Sequence, residues 1–157
     1  MAGQVDMKII VDDLEGHAIA KLLAEHMQDM QSTSPPESVH ALDIEALKAS
    51  EITFWSAWEG GDLLGCGALK EISPLAGEIK SMRTAVNHHR KGVASNLVQT
   101  IIETSRERGY EQLFLETGSM IEFEAARLLY TRFGFSQCPP FSTYKEDSNS
   151  VFMMLQL

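Results

Sequence analysis

A glycine with basic neighbours lies in the middle of the chain, where an extended segment gives way to an amphipathic helix. It is Gly92, in the run Val86-Asn-His-His-Arg-Lys-Gly-Val-Ala-Ser95. A turn of this kind exposes backbone N–H groups at a helix N-terminus, with no Cβ in the way, and so forms a phosphate cradle. A solvated basic turn is the alternative. The cradle interpretation predicts a phosphorylated ligand and requires a strand to end and a helix to begin here.

The position of this turn argues against a dinucleotide-binding fold. Such a fold places its glycine fingerprint directly after the first strand and follows it with an acidic residue about twenty positions later. Here the turn comes only after several other predicted elements. The sequence therefore does not predict a doubly wound sheet.

The hydrophobic pattern before the turn predicts strand, helix, helix and then a three-stranded antiparallel meander. The first strand is predicted at residues 8–11, and two helices at 15–30 and 43–49, with Asp43 as the N-cap of the second. Period-two alternation predicts the strands of the meander at residues 52–58, 63–72 and 77–86.

After the turn, the apolar positions return to helical spacing. A helix is predicted over residues 92–108 with Gly109 as its stop, then a strand over 111–117 and a helix over 123–132 that ends at Gly134. Two last extended segments, residues 135–138 and 151–157, close the sheet. A strand, helix and strand over this length imply one parallel crossover pair. The predicted class is α+β, with a mixed central sheet.

Charge and composition narrow the choice of ligand. The formal net charge of −9 argues against binding nucleic acid or anionic lipid. Residues 79–102 nevertheless contain no Asp or Glu, so one locally basic window suits a small anionic cofactor. No apolar run of membrane length and no secretory signal is seen, which predicts a cytoplasmic protein without a membrane partner. Cys66 and Cys138 lack metal-binding spacing, so we expect two reduced thiols and no metal.

Two motifs together resemble the GNAT family of N-acetyltransferases. His89-Arg-Lys-Gly-Val-Ala94 is similar to the acetyl-CoA signature Gln/Arg-x-x-Gly-x-Gly/Ala, with His89 as a departure at the first place. Ala126-Arg-Leu-Leu-Tyr130-Thr-Arg-Phe-Gly134-Phe135 is similar to the second hallmark, A-x-x-L-Y-x-x-x-G-F. Phe123 stands where the family often has Asn. The resemblance spans nearly the whole chain.

This resemblance implies a GNAT fold, in which an antiparallel N-terminal meander precedes a splayed parallel strand pair and helices cover both faces. It implies one domain over residues 7–157, after a disordered lead at residues 1–6. It also implies acetyl-CoA as co-substrate, held by the third meander strand along the pantetheine arm and by the glycine turn at the pyrophosphate. The residues that it assigns to acetyl-CoA are Met82, Arg83, Thr84, His89, Arg90, Lys91, Gly92, Val93, Ala94 and Ser95.

Three catalytic candidates follow from the resemblance. In the family, the tyrosine matched by Tyr130 is the proposed acid that protonates the leaving thiolate of CoA; a core aromatic is the alternative. Glu78 and Glu116 each match positions where some members keep a general base, with Glu78 slightly favoured. A solvated or structural carboxylate is the alternative for both. The implied reaction is direct transfer to an amine in a ternary complex.

The sequence indicates less about the residues that bind the amine acceptor. By resemblance, the loop between the first two helices walls the acceptor pocket, so Glu37 and His40 are candidate substrate contacts; a stiff surface loop is the alternative. The expected acceptor is a small-molecule or peptide amine, and a homodimer is expected because family members are often dimers. The alternative function is a non-catalytic CoA-binding regulatory module, and a site for another nucleotide is a third interpretation.

Overall fold

One mixed sheet of seven strands carries the architecture. The computed structural model describes residues 7–39, 42–85 and 92–157. The strands are β1 (Lys8–Val11), β2 (Ile52–Glu59), β3 (Asp62–Ser73), β4 (Ala76–Thr84), β5 (Gln112–Gly118), β6 (Ser136–Gln137) and β7 (Ser150–Gln156). Their order in the sheet is β1-β2-β3-β4-β5-β7-β6. This arrangement confirms the predicted α+β class.

In the described part of the chain, four α-helices pack on the two faces of the sheet. They are α1 (His17–Thr33), α2 (Ile44–Leu47), α3 (Val93–Glu107) and α4 (Glu124–Arg132). The apolar stripes of α1 and α2 bury one core, in which Ile19, Leu22 and Leu47 meet Phe54 of β2. Helices α3 and α4 cover a second core with residues of β3, β4, β5 and β7. The apolar residues that recur at helical spacing in the sequence are therefore the residues that the helices bury.

The antiparallel half of the sheet follows the predicted meander. From β1 to β4, each strand pairs in antiparallel register with the next strand along the chain. Helices α1 and α2 lie between β1 and β2 in the sequence. Gly60, with φ of 59°, supplies the left-handed turn between β2 and β3. The predicted and observed strands differ by one or two residues at their ends, where pairing rather than local pattern sets the boundary.

The parallel pair of the sheet is short. Strands β4 and β5 are paired only from Ala76 and Gln112 to Ile79 and Leu115. Directly after this pairing, β4 contains a bulge at Ser81, whose φ is 56°. A bulge bends the strand that carries it and strengthens its twist. The two strands therefore separate at one end and leave a cleft between them.

Helix boundaries differ modestly from the predictions. Helix α1 ends at Thr33 rather than at residue 30, because Ser34 still donates its N–H to the Met30 carbonyl. Helix α2 has four residues, and the Asp43 side chain accepts the Ala46 N–H as the predicted N-cap. A 3₁₀ turn, Ile121–Phe123, precedes α4. The predicted lead at residues 1–6 lies outside the described residues.

Candidate active site

The cleft between the separated ends of β4 and β5 brings together the three catalytic candidates and one of the residues assigned to acetyl-CoA. It has a volume of about 140 Å³ and lies between α1, the two strands, α4 and the segment before α4. Glu78 and Met82 of β4, Glu116 of β5 and Tyr130 of α4 all line it. Candidate residues from three separate elements therefore converge at the place where the parallel pairing stops.

Gly92 occupies the position that a phosphate cradle requires. It stands before the first residue of α3 with φ of 75° and ψ of 15°, a left-handed conformation that favours glycine. Among the described residues, a Cβ there would meet only the Asn96 side chain, at 3.6 Å, so these residues leave space for a ligand beside the Gly92 backbone. His89, Arg90 and Lys91 lie outside the described residues. The described half of the turn fits a phosphate at a helix N-terminus.

The first turn of α3 presents two different surfaces. Val93 is 2% exposed and packs in the core, so its side chain anchors the helix rather than a ligand. Ala94 and Ser95 are half-buried beside it. Any contact of Val93 with a phosphate must therefore be through its backbone N–H.

Tyr130 is buried at the wall of the cleft. Helix α4 holds the ring against Phe135, with ring centroids 5.7 Å apart in an edge-on arrangement. Burial raises the pKa of the Tyr130 hydroxyl above its ordinary value of 10. Among the described residues, no hydrogen bond to this hydroxyl is present. The side chain is thus both a core aromatic and a protonated group that faces the cleft.

Glu78 belongs to a buried cluster of three polar side chains. It is 3% exposed, and its Oε2 accepts hydrogen bonds from the Tyr144 hydroxyl at 2.6 Å and from Lys80 Nζ at 3.3 Å. Lys80 Nζ also donates to the Tyr144 hydroxyl at 2.8 Å. The candidate base is therefore no solvated strand carboxylate. Its charge is compensated by a cation and by a hydroxyl donor.

Lys80 and Tyr144 are functional candidates to which the sequence analysis assigned no catalytic role. Lys80 follows Glu78 by two positions on β4, so both side chains point to the same face, and this period-two relation was readable from the sequence. Tyr144 comes from the segment between β6 and β7, where its ring lies 5.0 Å from that of Phe141. Nothing local in the sequence predicts its contact with β4.

Glu116 lies on the neighbouring strand and faces the same cluster. It is half-buried, pairs across the sheet with Phe152 and lines the cleft. Burial, together with the nearby charges of Glu78 and Glu116, raises the pKa of Tyr144 well above its ordinary value. Both candidate carboxylates therefore act on one tyrosine, and the structure brings them to the same site.

The β4 segment assigned to the pantetheine arm has mixed surroundings. Met82 lines the cleft, and its side chain packs against the core. The Arg83 guanidinium forms an ion pair of 2.6 Å with Asp29 of α1. Thr84 is half-buried, and with Arg83 it pairs with β3 across the bulge. On its other edge, β4 has no pairing with β5 beyond Ile79, so this part of its backbone faces the cleft.

The segment before α4 contains Phe123 at the position where the family often has Asn. The Phe123 ring covers Gly118 so closely that a Cβ at Gly118 would overlap it. Arg127 donates from one nitrogen to the carbonyl oxygens of Gly118 and Met120, at 2.7 and 2.9 Å. An aromatic ring and a guanidinium thus hold this segment in place at the rim of the cleft.

The two acceptor candidates of the first loop do not both reach the cleft. Glu37 is exposed and lines a separate surface concavity with residues 143–149, whereas its neighbours Ser38 and Val39 line the cleft. The Ser38 hydroxyl donates to Asp147 at 2.6 Å and so joins the two loops. His40 lies outside the described residues.

Metal binding, thiol chemistry and membrane spanning each require particular groups or segments among the described residues. Within residues 7–39, 42–85 and 92–157, no group of three or more His, Cys, Asp or Glu side chains is arranged to hold a metal ion. Neither cysteine lines the cleft, and burial raises the pKa of the Cys66 thiol to about 12. In the same ranges, no helix is both long enough and apolar enough to span a membrane.

Comparisons with known proteins agree with this geometry. The model of the acetyltransferase (GNAT) family matches residues 17–135. YsnE of Bacillus subtilis, named an uncharacterised N-acetyltransferase, is 58% identical over 96% of this chain and 100% of its own length. YedL of Escherichia coli, named in the same way, is 46% identical over 95% of this chain and 94% of its own length. The crystal structure of PaiA N-acetyltransferase from Thermoplasma acidophilum in complex with coenzyme A has a TM-score of 0.73 at 14% identity, and the match covers 97% and 99% of the two chains.

Proposed function

The chain belongs to the GNAT family of acetyltransferases, and from this premise we propose how its residues move the acetyl group of acetyl-CoA to an amine. The protein is an N-acetyltransferase with acetyl-CoA as donor. The observation that carries the proposal is the convergence of Glu78, Glu116 and Tyr130 on one cleft at the separated ends of β4 and β5. A carboxylate can take a proton there and a phenol can give one.

We assign the donor side of the cleft to β4 and to the N-terminus of α3. Gly92 and the N–H groups that follow it would receive the pyrophosphate, since helix N-termini favour anions. The edge of β4 from Met82 to Thr84 would pair with the pantetheine arm as an added strand. His89, Arg90 and Lys91 remain part of this prediction. The Thermoplasma PaiA structure, which has a similar fold, contains coenzyme A, and this supports acetyl-CoA as the cofactor.

The chemical step needs one group that accepts protons and one that donates. An acceptor amine arrives as an ammonium ion, so Glu78 or Glu116 must first accept a proton, directly or through water. The nitrogen then forms a bond to the acetyl carbon, the carbon–sulfur bond breaks, and the nitrogen gives up a second proton. One proton ends on the CoA sulfur and one is released, which balances the reaction. We favour Glu78 as the base, because Lys80 and Tyr144 hold its carboxylate in one position.

Tyr130 would donate a hydrogen bond to the leaving sulfur. Burial raises the pKa of its hydroxyl, so the group is protonated at neutral pH and acts as a hydrogen-bond donor. A phenol is a weaker acid than a thiol, with ordinary pKa values of roughly 10 and 8.5. Complete proton transfer is therefore uphill, and the contribution of Tyr130 depends on its position, which α4 and the contact with Phe135 fix.

A covalent acetyl-enzyme is disfavoured by the positions of the cysteines. Cys66 is buried, and its thiol donates to the Ser81 carbonyl oxygen at 3.3 Å. Cys138 is half-buried and outside the lining of the cleft. Direct transfer in a ternary complex therefore needs no thiol of this chain.

The test is acetyl transfer itself. Purified protein is incubated with acetyl-CoA and a panel of amines, and released CoA thiol is measured together with the mass of the product. We expect thiol release that depends on an amine and a product heavier by one acetyl group. Binding of acetyl-CoA without turnover on any amine would favour the regulatory-module alternative, which the names of the relatives already disfavour.

Three further expectations belong to the same proposal. Residues 7–157 would form one domain, since β1 and β7 belong to one sheet. The protein would form a homodimer, which light scattering during gel filtration would measure. It would act in the cytoplasm on a small-molecule or peptide amine, and Glu37 and His40 remain candidate contacts for that acceptor.

A further inference from the structure

We propose that the acceptor is a small amino acid, whose carboxylate binds at a polar corner formed by His26, Ser81 and Arg83. The inference rests on the proposed function and narrows its acceptor. His26 comes from α1 and the other two residues from the bulged part of β4. His26 and Ser81 line the catalytic cleft, whereas Arg83 is not part of its lining and forms an ion pair with Asp29 of α1.

Each member of the polar corner has a buried atom without a hydrogen-bond partner in the part of the chain that the structure describes. These atoms are His26 Nδ1, Ser81 Oγ and Arg83 Nε. An unpaired buried polar group lowers the stability of the fold, more so when it is charged, so native proteins keep few of them. Two of these residues, His26 and Ser81, line the cleft, and the Arg83 charge acts on His26, so a polar anionic ligand in the cleft can complete the missing hydrogen bonds.

The surrounding structure holds the three side chains in place but gives their unpaired atoms no hydrogen-bond partner among the described residues. Asp29 accepts from Arg83 Nη2 at 2.6 Å, which holds the guanidinium and leaves Nε–H unused. Ser81 is held at φ of 56° by the bulge, a conformation that costs a non-glycine residue energy. His26 is only 9% exposed. The corner is therefore preformed before any ligand binds.

The charge of the corner selects the ligand. Burial and the nearby Arg83 guanidinium lower the pKa of His26 from 6.5 to about 4, so His26 is neutral at pH 7. A neutral imidazole, a hydroxyl and a cationic N–H suit an anionic group with several acceptor positions. A carboxylate has two oxygens and about four such positions. Because Asp29 is half exposed, water weakens its compensation of the Arg83 charge.

Elsewhere the cleft is lined by carboxylates. Glu78 and Glu116 line it together with Lys80, which compensates the charge of Glu78, and the two carboxylates would face the amine that is acetylated. A single ligand that satisfies both the polar corner and these carboxylates carries an ammonium group and a carboxylate a short distance apart. Amino acids have this pair of charges. The N-terminus of a protein lacks a carboxylate close to its amine, and a polyamine lacks one altogether.

Matched acceptors test the inference with the protein as it is. Each amino acid of a panel is compared with its own carboxamide, and kcat/KM is measured by thiol release at saturating acetyl-CoA. We expect at least a tenfold higher kcat/KM for the acid than for the amide of the best acceptor. Equal values, or turnover only of amines without a carboxylate, would overturn the inference and leave the N-acetyltransferase function intact. If no amine at all releases thiol, the proposed function itself is wrong.

Two variants test whether the preference for the acid over the amide depends on the polar corner. In Ser81→Ala and in His26→Gln, we expect the KM for the amino acid to rise at least fivefold, while the KM for its amide changes little. The acid-to-amide preference therefore shrinks. Damage to the fold would lower kcat/KM for both acceptors equally, so an unchanged preference in both variants would contradict the assignment of the corner.

Discussion

The Tyr144 hydroxyl donates a hydrogen bond of 2.6 Å to Oε2 of Glu78, although the two residues are 66 positions apart in the chain. Lys80 Nζ donates to the Tyr144 hydroxyl oxygen and to Oε2 of Glu78, so the three side chains form one cluster. The segment between β6 and β7 thereby reaches across the sheet and fixes the side chain that we favour as the base. Positioned groups of this kind reduce the reorganisation that a proton transfer requires.

Replacing Tyr144 tests whether this cluster positions Glu78. Tyr144→Phe keeps the ring contacts with Phe141 and Phe152 and removes only the hydroxyl. Because hydrogen bonds to charged groups contribute about 1.5–3 kcal/mol, we expect kcat to fall about tenfold or more. The KM for acetyl-CoA should not change. Steady-state kinetics with acetyl-CoA varied would measure both values.

Tyr110 provides a matched control for this variant. Its hydroxyl also donates a 2.6 Å hydrogen bond to a glutamate, Glu71, and neither residue lines the cleft. Because the hydrogen bond between Tyr110 and Glu71 lies outside the cleft, we expect Tyr110→Phe to leave kcat within about twofold of wild type. If both variants lose activity to the same extent, the effect of Tyr144→Phe is one of stability alone.

Tyr130→Phe tests the proposed donor to sulfur. General acid groups contribute typically about 10²-fold or more, so kcat should fall about a hundredfold. Acetyl-CoA affinity should stay nearly the same, because the ring and its contact with Phe135 remain. Isothermal titration calorimetry and kcat, measured on the same preparation, separate the two effects. Unaltered turnover would remove Tyr130 from the mechanism.

Gly92→Glu tests the phosphate cradle. A side chain at φ of 75° is strained, and a carboxylate there would repel the pyrophosphate of acetyl-CoA. We expect acetyl-CoA binding to weaken at least about a hundredfold, since bulk and charge act together. Gly109→Glu is the control, because Gly109 has φ of 81°, lies in open space and follows the other end of α3. Equal affinities of the two variants would contradict the cradle.

His26 makes stability depend on pH in a predictable direction. Its pKa is about 4 in the folded protein and 6.5 in the unfolded chain, so the unfolded chain binds more protons between these values. The contribution of His26 is fully present above pH 6.5 and is lost as the pH falls towards 4. The loss is about 3 kcal/mol of unfolding free energy.

Urea unfolding at pH 7 and pH 4 checks this contribution. Between the two pH values, the free energy of unfolding of His26→Gln should fall about 3 kcal/mol less than that of wild type. His17→Gln, at an exposed position of the same helix, should follow the wild-type curve. Identical losses for wild type and His26→Gln would show that His26 does not titrate in the way its burial implies.

The sequence determined the order and type of the elements and the place of the phosphate turn. Apolar spacing is a local property, and it predicted α1, α3 and the meander within a few residues. Gly92 and Gly109 mark the ends of α3 because a left-handed φ favours glycine wherever it occurs. The two motifs then indicated the family, which the comparisons confirmed.

Only the tertiary structure decided which side chains meet. The contact of Tyr144 with Glu78 depends on a segment that has no regular period and that folds back across a completed sheet. The unpaired atoms at His26, Ser81 and Arg83 depend on burial by α1 against a bulge in β4. Burial and charge compensation are properties of residues far apart in the chain, so local patterns cannot specify them.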